Sequence, residues 1–307
     1  MTVSFSTRSP NADYLGFEAS PEAIVASAKK AEAVGFEAIF VNDHIIVDQS
    51  ARAASWTNVY DPFVAMSFVA AHTSRIGIGV SVLIVPYRNP VATAKALATL
   101  DRMSGGRLTV GVGAGWNEAE FAALGVPFRE RGARTDEYLR LWQACLAPGK
   151  VSFAGRFVTF SDMFVSPKPV QEPHPALWVG GTSDAALRRA ARFAAVWQPT
   201  PLPLAQLVER QAALRKACEA ADRAPIPTRM SFRVEFSTIT GNAPPADKRP
   251  LGHGTPAEVA ADLRHYREAA GLEAFQINFH GNRDTDQLLR SMECFMRDVA
   301  PLVTGAA

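Results

Sequence analysis

Residues 75–117, RIGIGVSVLIVPYRNPVATAKALATLDRMSGGRLTVGVGAGWN, most narrow the folds open to this chain. Two apolar runs, Ile76–Val82 and Leu108–Val112, flank a segment that Pro90 opens with helical spacing. Strands this continuously apolar are covered on both faces, and a helix between them makes the pairing parallel, so the stretch predicts a βαβ crossover. Both strands run out into unusual sequence, Ser81-Val82-Leu83 at the first and Gly111-Val112-Gly113-Ala114-Gly115-Trp116 at the second. What those two ends hold is the functional question.

The same alternation extends over the whole chain. Further strands are expected at Val3–Ser6, Ala38–Val41, Ala176–Val179, Ala195–Trp197, Ser231–Ile239 and Ala274–Phe279. Between them lie helix starts with recognisable caps: Ser20-Pro21, Asp61-Pro62, Thr255-Pro256-Ala257-Glu258, and Asn117 with Glu120 as a capping pair. Residues Val151–Phe160, VSFAGRFVTF, alternate around Gly155 and read as a hairpin outside this order. Eight strands alternating with helices predict a (β/α)8 TIM barrel, an α/β fold, with a hairpin insertion after strand four. The expectation is one domain over 1–307 with the insertion at about 147–175, and an open doubly wound sheet is the alternative. No composition break divides the chain into the halves of a two-domain dinucleotide enzyme.

Charge argues about partners. With 32 Lys and Arg against 30 Asp and Glu, and no long block of either sign, nothing in the chain asks for nucleic acid or a membrane surface, and a small-molecule substrate is expected. Cys145, Cys218 and Cys294 are odd in number and widely spaced, the usage of a reducing compartment, here the cytoplasm. No histidine pair has metal-ligand spacing, so no metal is expected.

In a barrel, chemistry sits at the carboxyl ends of the strands. That rule selects Arg8, Asn42, Asp43, His44, Ser81 to Leu83, Gly113 to Asn117, Gly180 to Ser183, Pro199, Thr200, Ser237, Phe279 and His280. Gly180-Gly181-Thr182-Ser183 has close-approach glycines, a helix N-terminus and two hydroxyls, which suit a phosphate; the same residues also spell an ordinary tight turn with an N-cap. Gly111, Gly113 and Gly115 resemble half of a dinucleotide fingerprint, but Trp116 stands at its sixth position, and glycines that relieve crowding are the alternative. His44 leaves its strand beside Asn42 and Asp43 and is the candidate acid or base. Trp56, in the long loop Asp48–Tyr60, and Trp116 are candidates for stacking on a substrate, whereas Trp197 reads as core.

Several separated blocks carry a resemblance: GFEAIFVNDHIIV, then the opening stretch extended through NEAEFAALGVPF and RERGARTDEYL, then SPKPVQEPHPALWVGGTSDAALRRAARF. Together they resemble the luciferase-like monooxygenase superfamily, and within it the coenzyme F420 (deazaflavin) oxidoreductases. The resemblance implies a barrel with an insertion that binds F420 or FMN at the strand ends. It places a non-proline cis peptide at Ser81-Val82 behind the tricyclic ring, and His44 against ring or substrate. It further implies the strand-four ligand loop at Gly113, Ala114 and Gly115, and a phosphate turn at Gly181, Thr182 and Ser183. Trp116 stands where sugar-phosphate dehydrogenases of the branch carry glutamate, and Ala114 where luciferases carry arginine. The implied activity is hydride transfer between coenzyme F420 and an organic substrate by a homodimer. The alternatives are an FMN-dependent monooxygenase fed by a flavin reductase, and a non-catalytic flavin-binding protein.

Overall fold

Parallel pairing begins with the first strand. β1 (Ser4–Arg8) lies between β2 (Ala38–Val41) and β11 (Ala274–Phe279), and its Thr7 hydroxyl donates to the Ile277 carbonyl at 3.1 Å. The computed structural model describes residues 3–13, 16–50 and 56–305. Beyond β2 come β3 (Gly77–Ile84), β4 (Leu108–Gly113), β7 (Ala176–Gly180) and β8 (Val196–Gln198); beyond β11 comes β9 (Met230–Phe236). The two edges of this parallel ladder meet. Trp197 of β8 bridges Thr228, with Trp197 N–H donating to Pro227 O at 3.0 Å and Arg229 N–H to Trp197 O at 2.9 Å. Eight strands therefore follow one another around the expected barrel, with a two-residue strand, β10 (His253–Gly254), added at the end of β9.

The helices start where their caps place them. Ser20, Asp61 and Asn89 accept first-turn N–H groups of α1 (Pro21–Val34), α2 (Pro62–His72) and α3 (Pro90–Met103), each with proline in the first turn. Thr255 and Glu258 close the expected capping box on α9 (Pro256–Ala270). Asn117 caps α4 (Glu118–Ala123), but the Glu120 side chain does not return to it, because that carboxylate is bonded elsewhere.

Two other expectations shift. β9 stops at Phe236, and Ser237–Thr240 forms a helical turn, so Ser237 is not a strand residue. The hairpin is β5 (Lys150–Ala154) with β6 (Thr159–Phe164). It docks on α5 (Arg131–Leu146) because the buried Glu137 carboxylate accepts the N–H groups of Arg156, Phe157 and Val158 at 2.7 to 3.0 Å.

Apolar side chains on the outer face of the strands pack under the helices, while the interior is filled only at its lower end. There the rings of Phe40 and Trp178 lie 4.9 Å apart, with the Arg229 guanidinium 4.6 Å from the Trp178 ring. Gly79 makes that filling possible: a Cβ at this position would sit 2.5 Å from the Phe40 ring and 2.6 Å from Thr109 O. Above this plug the interior turns polar and opens.

Candidate active site

The opening is a cavity of about 260 Å³ at the carboxyl ends of the strands. Its floor is built from inward positions two residues apart, the spacing that keeps side chains on one face of a strand. Arg8 of β1, Ser81 of β3, Gln198 of β8, Ser231 and Arg233 of β9, and Asn278 and His280 at the end of β11 line it. Buried Gln276 ties these strands from below. Its Oε1 accepts from Arg8 Nε at 3.1 Å, Ser81 Oγ at 3.3 Å and Ser231 Oγ at 3.0 Å. Since three donors fix that oxygen, the amide nitrogen must face the other way, and Gln276 Nε2 has no partner among the described residues. Buried Gln198 Nε2 and Asn278 Oδ1 are likewise unpartnered. Gln198 and Asn278 line the cavity and Gln276 lies beneath its floor, and orphaned amide atoms there are costly unless something else satisfies them. Burial, helped by the charges of Arg233 and Arg8, pushes the His280 imidazole down to about 4, so it is neutral at pH 7.

One wall is Val82. The Ser81–Val82 peptide is cis, and the pairing of β3 with β4 slips between Val80 and Leu83 at the same place. The glycines of β4 and β7 leave room for this turn of chain. A Cβ at Gly113 would meet Val82 Cγ2 at 2.8 Å, and one at Gly180 would meet Val82 Cγ1 at 3.0 Å. Gly115, at φ +85°, faces Phe121 and Ile84 instead. The half-fingerprint thus serves close packing around β3.

Beside the cavity stands a second cluster centred on Glu120. This buried carboxylate accepts from His44 Nδ1 at 2.8 Å, Tyr87 Oη at 2.8 Å, and the Ile45 and Ile46 N–H groups at 2.7 and 3.3 Å. Burial opposes its charge, but His44, the Ile45 N–H and Tyr87 outweigh that cost and hold its pKa below the ordinary value. An ionised carboxylate only accepts, so Nδ1 of His44 carries a proton and Nε2 is the nitrogen left to exchange one. The His44 ring lies 5.2 Å from that of Trp56 and 5.7 Å from that of Trp116. Trp56 also lines the cavity, so it joins the two clusters. The intervening residues 51–55 of the long loop Asp48–Tyr60 lie outside the described residues.

Of the residues expected from sequence, Arg8, Trp56, Ser81, Val82, Gly180, Gly181, Pro199, Thr200 and His280 line the cavity. His44 adjoins it through Trp56, and Trp116 packs against the His44 ring. Asn42 is locked into the frame, its Oδ1 accepting from Arg8 at 2.7 Å while its backbone N–H and carbonyl pair with the Asn11 amide. Asp43 holds Arg88 through two bonds of 2.8 Å and accepts the Ile84 N–H at 2.9 Å. Ser183 caps α6 (Asp184–Phe193) by accepting from Ala186 N–H, and the carbonyl of Gly181, at φ +94°, accepts from Trp197 Nε1 at 2.8 Å. The turn thus has the N-cap of an ordinary helix start. Gly115, Ala114 and Gly113 line no part of the cavity. Glu120, Tyr87, Gln198, Gln276, Arg233 and Asn278 were not legible as site residues. Nothing local marks Glu120, whose partners lie 33 and 76 positions away.

An uncharacterised protein of Mycobacterium tuberculosis is 34% identical over 188 residues, which is 57% of this chain and 67% of that protein. The FMNH2-dependent dimethylsulfone monooxygenase of Pseudomonas putida is 38% identical over 125 residues, 40% of this chain and 34% of that enzyme. Among solved structures, a monooxygenase from Streptomyces bottropensis superimposes with a TM-score of 0.80 at 22% identity, covering 97% of this chain and 99% of that one. An F420-dependent secondary alcohol dehydrogenase does so with a TM-score of 0.80 at 18% identity, covering 99% of both chains. At such identities these two superpositions speak for the fold. Residues 1–246 match the family model described as luciferase-like monooxygenase, and with four-fifths of its length so matched the chain belongs to the luciferase-like monooxygenase family.

Proposed function

We propose that this protein is an oxidoreductase that binds coenzyme F420 in the barrel-mouth cavity and transfers hydride between it and a small organic substrate. The observation that carries the reading is the set of orphaned amide atoms beside the Ser81–Val82 turn. The pyrimidine edge of a flavin or deazaflavin offers carbonyl oxygens and a ring N–H, the complement of Gln198 Nε2, Gln276 Nε2 and Asn278 Oδ1. Val82 would back the ring, and Thr182 with the α6 N-terminus would receive the phosphate. When bound, the cofactor supplies the hydride-carrying ring. The chain supplies position, exclusion of water through Trp56 and Trp116, and a proton at His44 Nε2.

The second reading is an FMN-dependent monooxygenase that receives reduced flavin from a separate reductase. The P. putida relative, named as FMNH2-dependent, favours it. Titration of the purified protein with each cofactor, followed by absorbance and fluorescence, separates the two. We expect coenzyme F420 to bind in the micromolar range and more tightly than FMN. Tighter FMN binding transfers the assignment to the monooxygenase, and failure of both to bind removes both readings.

A homodimer and a cytoplasmic setting complete the proposal. α2, PFVAMSFVAAH, is apolar all round, yet Val64 and Phe68 are 69% and 40% exposed beside a trough lined by Pro21, Ile24 and Tyr60. A helix without a polar face needs cover on every side, and a second copy would provide it. Sedimentation equilibrium should give a dimer that Val64→Lys with Phe68→Lys converts to monomer; a native monomer at micromolar concentration would end this proposal. The three buried free cysteines suit a reducing compartment, and no helix among the described residues is long and apolar enough to cross a membrane.

A further inference from the structure

Arg233 stands apart from the other groups of the cavity. It occupies an inward position of β9, two residues beyond Ser231 and opposite Asn278 of β11, and its side chain is exposed at the cavity surface. It makes no hydrogen bond or ion pair with any described residue, whereas Arg88, Arg189 and Arg249 each hold a carboxylate. An unpaired arginine on a convex surface is simply solvated, but this one lies in a concavity that focuses its field. Arg8 adds a second positive charge from the floor, and no aspartate or glutamate is found among the residues lining the cavity. The nearest acidic group on the strand, Glu235, is not among the residues lining the cavity and accepts from Thr240 and Asn242. His280 neither adds nor cancels charge at neutral pH, since burial and the two arginines keep it neutral.

We propose that Arg233 is a substrate-specificity residue that binds the anionic group of a small organic acid, a carboxylate or sulfonate, in the cofactor cavity. The inference rests on the oxidoreductase reading above and narrows its substrate class. A planar guanidinium presents two parallel N–H groups to such a group, and the Thr200 hydroxyl, which also lines the cavity, offers a further donor. The site discriminates by charge, because a neutral amide of the same shape leaves the guanidinium unmatched.

Calorimetric titration with hexanoate, hexane-1-sulfonate and hexanamide tests this, on the protein loaded with whichever cofactor binds and again without cofactor. Both anions should bind and the amide should not. Arg233→Gln should weaken anion binding by about 10- to 100-fold, the loss of one charge-assisted bidentate contact, while Arg233→Lys retains part of it. The cofactor dissociation constant should stay within a factor of about three, because the groups assigned to the ring are other residues. Equal binding of the amide, or anion binding indifferent to Arg233→Gln, overturns the proposal. So does a loss confined to cofactor affinity, which would give Arg233 to an anionic group of the cofactor. If neither cofactor binds but the anions still do so through Arg233, the oxidoreductase reading fails and the anion site stands.

Discussion

Replacing His44 with alanine is expected to lower turnover by about 10²- to 10⁴-fold, the usual worth of a positioned acid or base. Cofactor affinity should change by less than about threefold, since His44 is not among the residues lining the cavity and its side chain is held from behind by Glu120. The same geometry makes Glu120 a positioning residue. Its carboxylate fixes the proton on Nδ1, and Glu120→Gln keeps the shape while offering an amide N–H where the ring needs an acceptor. Turnover in that variant should fall by about 10- to 100-fold, in line with the loss of an orienting partner. Ring nitrogen chemical shifts of His44 would report the accompanying change from an Nδ1-protonated ring to a mixture of tautomers. A purely structural role for Glu120 would lower stability and leave that tautomer balance alone. Unchanged turnover in His44→Ala would remove His44 from the chemistry.

Arg88→Met should be the most destabilising single change near the site. Asp43 is 3% exposed, and its carboxylate meets two Arg88 N–H groups and the Ile84 N–H. Burial by itself pushes the Asp43 pKa up, and those three donors are what oppose it. Removing the guanidinium strands a buried charge, at a cost of about 3–5 kcal/mol. For a chain of this size that is a Tm lower by roughly 6–10 °C. The pH dependence identifies the cause. In the variant, the folded-state pKa of Asp43 lies above its unfolded value of about 3.9. A carboxyl raised in this way stabilises the fold below the unfolded pKa, and that contribution is lost as pH rises through the folded pKa. The deficit should therefore be larger at pH 8 than at pH 5, and Asp43→Asn in the same background should recover part of it at pH 8. A deficit equal at the two pH values would point to lost packing over Phe63 rather than to a stranded charge.

Strand and helix order was readable because it depends on local chemistry. Continuous apolar runs, proline in the first turn and Ser, Thr, Asp or Asn caps each act within a few residues, and the structure has α1, α2, α3 and α9 beginning at those caps. The end of β9 was misread because the β-branched Thr238 and Ile239 continue the strand pattern, and only Gly241, at φ +78°, marks the helical turn. The rim residues were readable for a related reason: once the strands are known, the barrel assigns their ends to one face.

The roles within that face were decided by contacts between distant parts of the chain. By sequence alone Gly113 and Gly115 fit a ligand loop or a packing site, and only the fold brings the side chains of Val82, Ile84 and Phe121 to where a Cβ at either position would meet them. Glu120 fitted a helix cap until His44 and Tyr87 were brought to its carboxylate. Gln276, in the middle of an apolar strand, became the junction of three strands, and Arg233 became an unmatched charge facing a cavity. The sequence by itself determined the parallel barrel, its βαβ units and the rim on which chemistry is placed, because backbone periodicity and capping are local. Which polar groups there are satisfied and which are left without a partner among the described residues was decided only by the tertiary structure, because hydrogen bonding and burial are set by neighbours that folding brings together.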